Sequence, residues 1–194
     1  MGKGEQTRTA ILGRALELSR TVGLEGVTIG GLAEALNLSK SGLFAHFQSK
    51  EKLQLEILEY AAAQVTELVF VPALKKPRGI PRIRGLFDHW LVWAGKPGGG
   101  CPFIHAAVEF DDQPGPVRDQ LLATQKQLID ALRKSAQIAK DDGQFQKNVD
   151  TEQFAYEFHG ILLAYHYNAR LLRDRHAELR ARKALDALID RARA

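Results

Sequence analysis

The chain reads as all-α, with about nine helices. Across most of its 194 residues apolar side chains recur at i, i+3, i+4 and i+7, which places them on one stripe of a helix. No segment alternates apolar and polar residues at period 2 for long enough to argue a strand. Capping residues such as Thr28, Ser39 and Ser49, and breakers such as Gly23, Pro77 and Gly79, fall at the ends of those stripes rather than inside them.

The first helix is predicted over Thr9 to Val22, where Ile11, Leu12, Ala15, Leu16 and Leu18 form a broad stripe and Gly23 ends it. Thr7 and Arg8 at its start suit either a phosphate contact or solvent. Residues 28–50 then read TIGGLAEALNLSKSGLFAHFQSK. Thr28 caps a short helix with Ile29, Leu32, Ala33 and Leu36 on one face; Asn37 tolerates a left-handed turn, and Leu38 is expected to point inward. Ser39 caps a second helix in which Leu43 and Phe47 face the core, while Lys40, Ser41, Gly42, Ala45 and His46 face out. Small and cationic residues at the N-terminus of the second of two short helices suit entry into a major groove, where a helix must approach base edges closely. Gly30 and Gly31 each cost about 1 kcal/mol relative to Ala, so their helix is either marginal alone or closely approached by something.

Ser49 caps a fourth helix, predicted to run to about Phe70 on Leu53, Ile57, Ala61, Val65 and Leu68. About 20 residues span about 30 Å, enough to connect a reading head to a second domain. Pro72, Pro77, Gly79 and Pro81 then mark a joint. Further helices are expected over Ile83 to Trp93, Pro102 to Phe110, Pro116 to about Lys140, Thr151 to Leu172 and Glu178 to Arg193. The expected division is a helix-turn-helix domain over 1–50 and an effector-binding and dimerisation domain over 51–194, joined by the helix from about 50 to 70.

At Thr28, Ser39, Gly42, Leu43, Phe44, His46, Phe47 and Lys50 the chain resembles the TetR family of bacterial transcriptional regulators. One departure is Phe44, which stands where the family usually carries a Tyr whose hydroxyl holds a phosphate. The resemblance implies a homodimeric, ligand-responsive regulator, a repressor that covers a palindromic operator in double-stranded DNA and is released by a small-molecule effector. Together the motif and the resemblance nominate Thr28, Ser39, Lys40, Ser41, Gly42, Phe44, His46 and Lys50 for DNA contact. They also nominate the last two helices, through Ile161, Leu162, Tyr165, Ala169, Leu185 and Leu188, for the dimer interface. The alternative is that these helices simply close the core of one protomer.

The C-terminal region is rich in aromatic residues. Trp90, Trp93, Phe103, Phe110, Phe154 and Phe158, with Cys101, His105 and His159, are candidates for an effector pocket beside a loop, AGKPGGGCP, whose glycines suit an entrance. The plainer reading is a filled aromatic core and a regulator with no effector. Cys101 and His105 at i and i+4, with Glu109 one turn further and His159 or His166 from elsewhere, have a spacing that a metal or thiol sensor would use, but chance produces it often, so neither a metal nor a cofactor is assigned. No oxyanion feature or orienting partner accompanies Cys101 and His105, and no catalytic residue is assigned.

Composition narrows the class only a little. A formal net charge of +4 favours a polyanionic partner weakly, and a single cysteine permits no intrachain disulfide. The polar N-terminus carries no apolar targeting core, and no run was expected to approach a membrane span, so a cytoplasmic protein is expected.

Overall fold

The computed structural model describes residues 3–96 and 99–194, which form nine helices and no strand. Pro97 and Gly98, part of the loop expected to open an entrance, lie outside the described residues.

Helix α1, Lys3–Val22, begins earlier than its apolar stripe, because the polar residues before Thr9 continue the same helix. Ile11, Ala15 and Leu16 bury its inner face, and Gly23 stops it at φ 79°. A Cβ at Gly23 would lie 1.7 Å from Oε1 of Glu109, so left-handed backbone and close approach both demand glycine there. Helices α2, Ile29–Ala35, and α3, Lys40–Phe47, follow as predicted.

Helix α4 starts at Lys50, capped by Ser49 Oγ, which accepts from the Lys52 amide at 3.0 Å. It does not stop near Phe70. After Val65 it passes through a π-helical stretch, Thr66–Phe70, and finishes with a turn, Val71–Leu74, that contains Pro72. The Val71 amide reaches back five residues to the Thr66 carbonyl, and in that wider register the proline is accommodated instead of ending the helix. The uninterrupted length, Lys50–Leu74, makes this one helix long and apolar enough to cross a membrane by length and composition, against the expectation that no run would be. Its Leu53, Ile57, Leu58 and Ala61 are buried inside the protein.

Helix α5, Ile80–Ala94, starts three residues before its predicted onset, since Pro81 opens the helix as a first-turn residue rather than breaking the chain. Helices α6, Pro102–Phe110, and α7, Pro116–Asp141, match expectation. The cap of α8, Thr151–Arg170, is Asp150, whose Oδ1 accepts from the amides of Glu152 and Gln153. Helix α9 is Ala177–Ala192, and an isolated antiparallel bridge joins Phe145 to Arg193.

By packing, the chain forms two compact units: 1–64 with 96–124, and 65–95 with 125–194. The first unit has a core of Ile11, Leu24, Leu32, Leu43, Phe47, Leu53 and Ile57. In the second, the rings of Phe87, Phe145, Phe154 and Phe158 pack on one another, with Phe87 edge-on to Phe158 at 6.1 Å between centroids.

Candidate DNA-reading interface

Three backbone devices shape the α2–α3 corner. Thr28 Oγ1 accepts from the Gly31 amide at 3.0 Å, and Ser39 Oγ accepts from the Gly42 amide at 3.0 Å. Ser39 Oγ also lies 3.3 Å from Ser41 Oγ, and one of these two hydroxyls donates to the other. Between the caps, Asn37 at φ 53° closes α2 with a paired motif: its amide donates to Glu34 O at 3.1 Å and the Leu38 amide donates to Ala33 O at 2.9 Å. That turn sends the Leu38 side chain outward, 43% exposed, where it had been expected to face in. The glycines sit where the caps close, since a Cβ would lie 3.2 Å from Thr28 Oγ1 at Gly31 and 3.0 Å from Ser39 Oγ at Gly42.

Leu43 and Phe47 are fully buried on the inner side of α3, and Lys40, Ser41, Gly42, Phe44 and Ala45 lie exposed on the outer side, with His46 partly covered. No carboxylate stands on this helix. Apart from the exposed Phe44 ring, its outer face is therefore one of small, hydroxylic and cationic groups, free of the negative charge that would repel phosphate.

Arg8 serves the interior rather than solvent. Its Nη2 donates to both carboxylate oxygens of Glu56 at 2.5 Å, its Nη1 donates to the His46 carbonyl at 2.7 Å, and its guanidinium lies 5.0 Å from the Phe47 ring centre. It thereby ties α1 and α4 to the last turn of α3. Lys50 pairs with Glu25 Oε1 at 2.5 Å, and Glu25 also accepts from Gln54 Nε2 at 3.0 Å. The hydrogen bond from Lys50, with that from Gln54, holds the Glu25 carboxyl below its usual range. Glu109 of α6 accepts from the amides of Leu24 and Glu25, fixing the loop before α2.

The candidate effector residues fall into both units. In the first, Cys101, Phe103 and Phe110 are buried and His105 is partly covered; burial pushes the Cys101 thiol up to about 11, which keeps it a neutral thiol. Among the described residues no group of three or more metal-ligating side chains converges. In the second, Trp90, Trp93, Phe154 and Phe158 are buried, Trp90 sits edge-on to Tyr165 at 5.9 Å, and burial lowers the pKa of the partly covered His159. A cleft of about 250 Å³ in this unit is lined by other residues: Phe70, Ala73 and Leu74 at the end of α4, Leu86 of α5, and Ile138 of α7, with Arg82 and Lys134 also in its lining.

The family model described as "Tetracyclin repressor-like, C-terminal domain" matches residues 79–185, and that described as "Bacterial regulatory proteins, tetR family" matches residues 11–57. The chain belongs to the TetR family. Its fold recurs in a TetR transcriptional regulator from Chloroflexus aurantiacus J-10-FL, 27% identical over 98% of this chain and 96% of that one, with a TM-score of 0.85. A TetR-family regulator from Cytophaga hutchinsonii is 18% identical over 100% and 98%, TM-score 0.86. AibR, solved with isovaleryl coenzyme A and operator DNA, is 24% identical over 95% and 97%, TM-score 0.70. No curated protein matches in sequence. The TetR family is one of DNA-binding transcriptional regulators, and the helix-turn-helix over α2 and α3 is where this member carries that fold.

In this TetR-family chain Leu162 and Leu185 turn into the protomer's own core and Leu188, though buried, lines the groove between the last two helices with Ile161 and Tyr165; Ile161, Tyr165 and Ala169 are partly covered. Between α8 and α9 lies an open groove of about 460 Å³ whose lining includes Gly160, Ala164, Tyr165, Ala184 and Ala187. Small residues on both sides leave room for another helix to approach. Sequence reasoning missed Glu56, Glu25 and Gln54 altogether, and placed Glu109 only one turn beyond Cys101 and His105 in a weak metal pattern, whereas it holds the loop before α2. Glu56 did leave a signal, a carboxylate flanked by Leu53 and Ile57 on the buried face of α4, which requires a cation from elsewhere in the fold.

Proposed function

We propose that this protein is a homodimeric repressor that covers a palindromic operator and is released by a small molecule. The observation that carries the reading is the outer face of α3, a helix capped by Ser39 and presenting Lys40, Ser41 and Gly42 with no acidic side chain. Lys40, Ser41, Gly42 and His46 contact bases or the adjoining backbone; Thr28, Ser39, Phe44 and Lys50 sit against phosphates. One α3 makes too few contacts for operator affinity, so two copies, about 34–36 Å apart, read successive major grooves. Residues 1–50 read DNA, and residues 51–194 sense the effector and dimerise across the groove between α8 and α9. The protein works in the cytoplasm, where its operator is.

Release follows as a population shift. An effector that binds one conformation better moves α4, which begins directly after α3 and runs about 37 Å to Leu74. Moving occupancy from about 99:1 to 1:99 takes about 5.5 kcal/mol of differential binding. AibR, of the same fold, was solved with both isovaleryl coenzyme A and operator DNA, which is the kind of pair envisaged. The packed rings around Phe87, Phe154 and Phe158 favour a second reading, a regulator that binds DNA constitutively.

Selection of bound sequences from random DNA with the purified protein tests the first part. An inverted repeat with half-sites about one helical turn apart is the expected result, and recovery of no preferred sequence would overturn it. Screening small molecules for release of the selected operator then separates the two readings, since a constitutive regulator holds its DNA throughout.

A further inference from the structure

We propose that the cleft at the end of α4 is the effector site and that its ligand is a small apolar monocarboxylate; this rests on the effector-released reading above. Phe70 closes the π stretch, Ala73 and Leu74 follow it, and with Leu86 and Ile138 they give the cleft apolar walls. Its volume is about 250 Å³. An apolar cavity of about 150 Å³ takes benzene, so this cleft holds a somewhat larger molecule, below the ~300–1,000 Å³ of sites for drug-sized ligands.

The polar groups set the head group. Arg82, Lys134 and Ser135 line the cleft, and no carboxylate does. Lys134 is engaged with Asp130 at 2.7 Å, and Ser135 Oγ donates to the Ala131 carbonyl at 2.8 Å. Arg82 differs. Its Nε donates to the Lys76 carbonyl at 3.0 Å, which anchors the guanidinium, and no carboxylate pairs with it among the described residues. A guanidinium held by one edge beside an apolar cleft matches a planar carboxylate with an apolar tail. One available cation suits a monoanion better than a phosphate dianion, because the other, Lys134, is already neutralised. These lining residues are distinct from Trp90, Trp93, Phe154 and Phe158, whose rings fill a core.

The test uses the full-length protein, octanoate as probe, and 1-octanol as the same tail without the charge. Calorimetric titration should show saturable octanoate binding, with octanol at least about tenfold weaker. Arg82→Gln should weaken octanoate by about tenfold or more and leave octanol unchanged, with an unaltered melting temperature showing that the fold persists. Ser135→Phe, which fills the cleft, should weaken both. The proposal fails if octanoate does not bind, if octanol binds as well, or if Arg82→Gln changes nothing. Operator release is measured in parallel on selected DNA. Binding that leaves DNA affinity unchanged overturns the assignment as effector site and, if no other compound releases DNA, the effector reading with it; no octanoate binding, while an unrelated compound releases DNA, overturns the cleft assignment alone.

Discussion

At Lys50 two demands fall on one ammonium. It stands where a phosphate contact is proposed, yet it is paired with Glu25, which Gln54 also holds. An exposed pair of this kind contributes about 0–1 kcal/mol, so it is easily surrendered, but its carboxylate opposes the phosphate field. Glu25→Gln is expected to tighten DNA binding for all sequences and to steepen the salt dependence by up to about 1 per subunit, with stability nearly unchanged; affinity measured across a salt series decides it. Phe44 poses a simpler question. Its ring is 54% exposed on α3, so a hydroxyl added by Phe44→Tyr has room to reach a phosphate. Operator affinity should rise by up to about 1 kcal/mol, and no change would show that the ring faces away from the backbone. Inward and outward positions on α3 were legible from spacing because a helix has a fixed period. Arg8, Lys50 and Leu38 were not, since a charged side chain's partner and a turn residue's direction depend on what tertiary structure brings near.

Helix boundaries show the same division between local and long-range causes. Thr28, Ser39 and Ser49 act as caps as their chemistry predicts, because a cap needs only amides a few residues ahead. Pro72 misled because a breaker rule assumes α register, and the π stretch supplies another. Gly30 offers a direct test at the level of α2. A Cβ there would meet only the flexible end of Lys40, at 3.4 Å, whereas at Gly31 it would press on the capping oxygen. Gly30→Ala should therefore stabilise the protein by up to about 1 kcal/mol in urea denaturation, and Gly31→Ala should give less because cap strain offsets the gain. Equal gains at both positions would mean that the cap tolerates the methyl group. The candidate effector pocket was the least legible part of the site, since composition counts aromatic rings but cannot distinguish rings that surround a space from rings that fill it.

For the molecule as a whole, the protomer's own packing limits how assembly can be tested. A charge at Leu162, which is 2% exposed, would strand a carboxylate in the protomer's core at a cost of several kcal/mol, and would unfold the chain before it said anything about a dimer. Ala184→Glu is the informative change. Ala184 is exposed on the groove between α8 and α9, so the variant should fold normally, sediment as a monomer and lose operator; a persistent dimer would place the interface elsewhere. Acid should also weaken the fold in a defined window. Burial lowers the His159 pKa below its usual value near 6.5, so the unfolded chain takes up that proton first. Its contribution is full above about 6.5 and is lost as pH falls from there toward the folded-state value. His159→Gln should consequently show a smaller loss of denaturation midpoint between about pH 7.5 and 5.5 than the native chain; identical losses would exonerate this imidazole.

Counted along the chain, a π turn is a helix carrying one surplus residue. Because the widened turn absorbs that residue, deleting one from Thr66–Phe70 would return the stretch to α register and leave Ala73 and Leu74 facing much as they do now, but would remove the wider register that accommodates Pro72. A single-codon deletion there would therefore test the π turn itself, with the face downstream in α4 retained, and a relative lacking the surplus residue would present a similar wall from a helix one residue shorter.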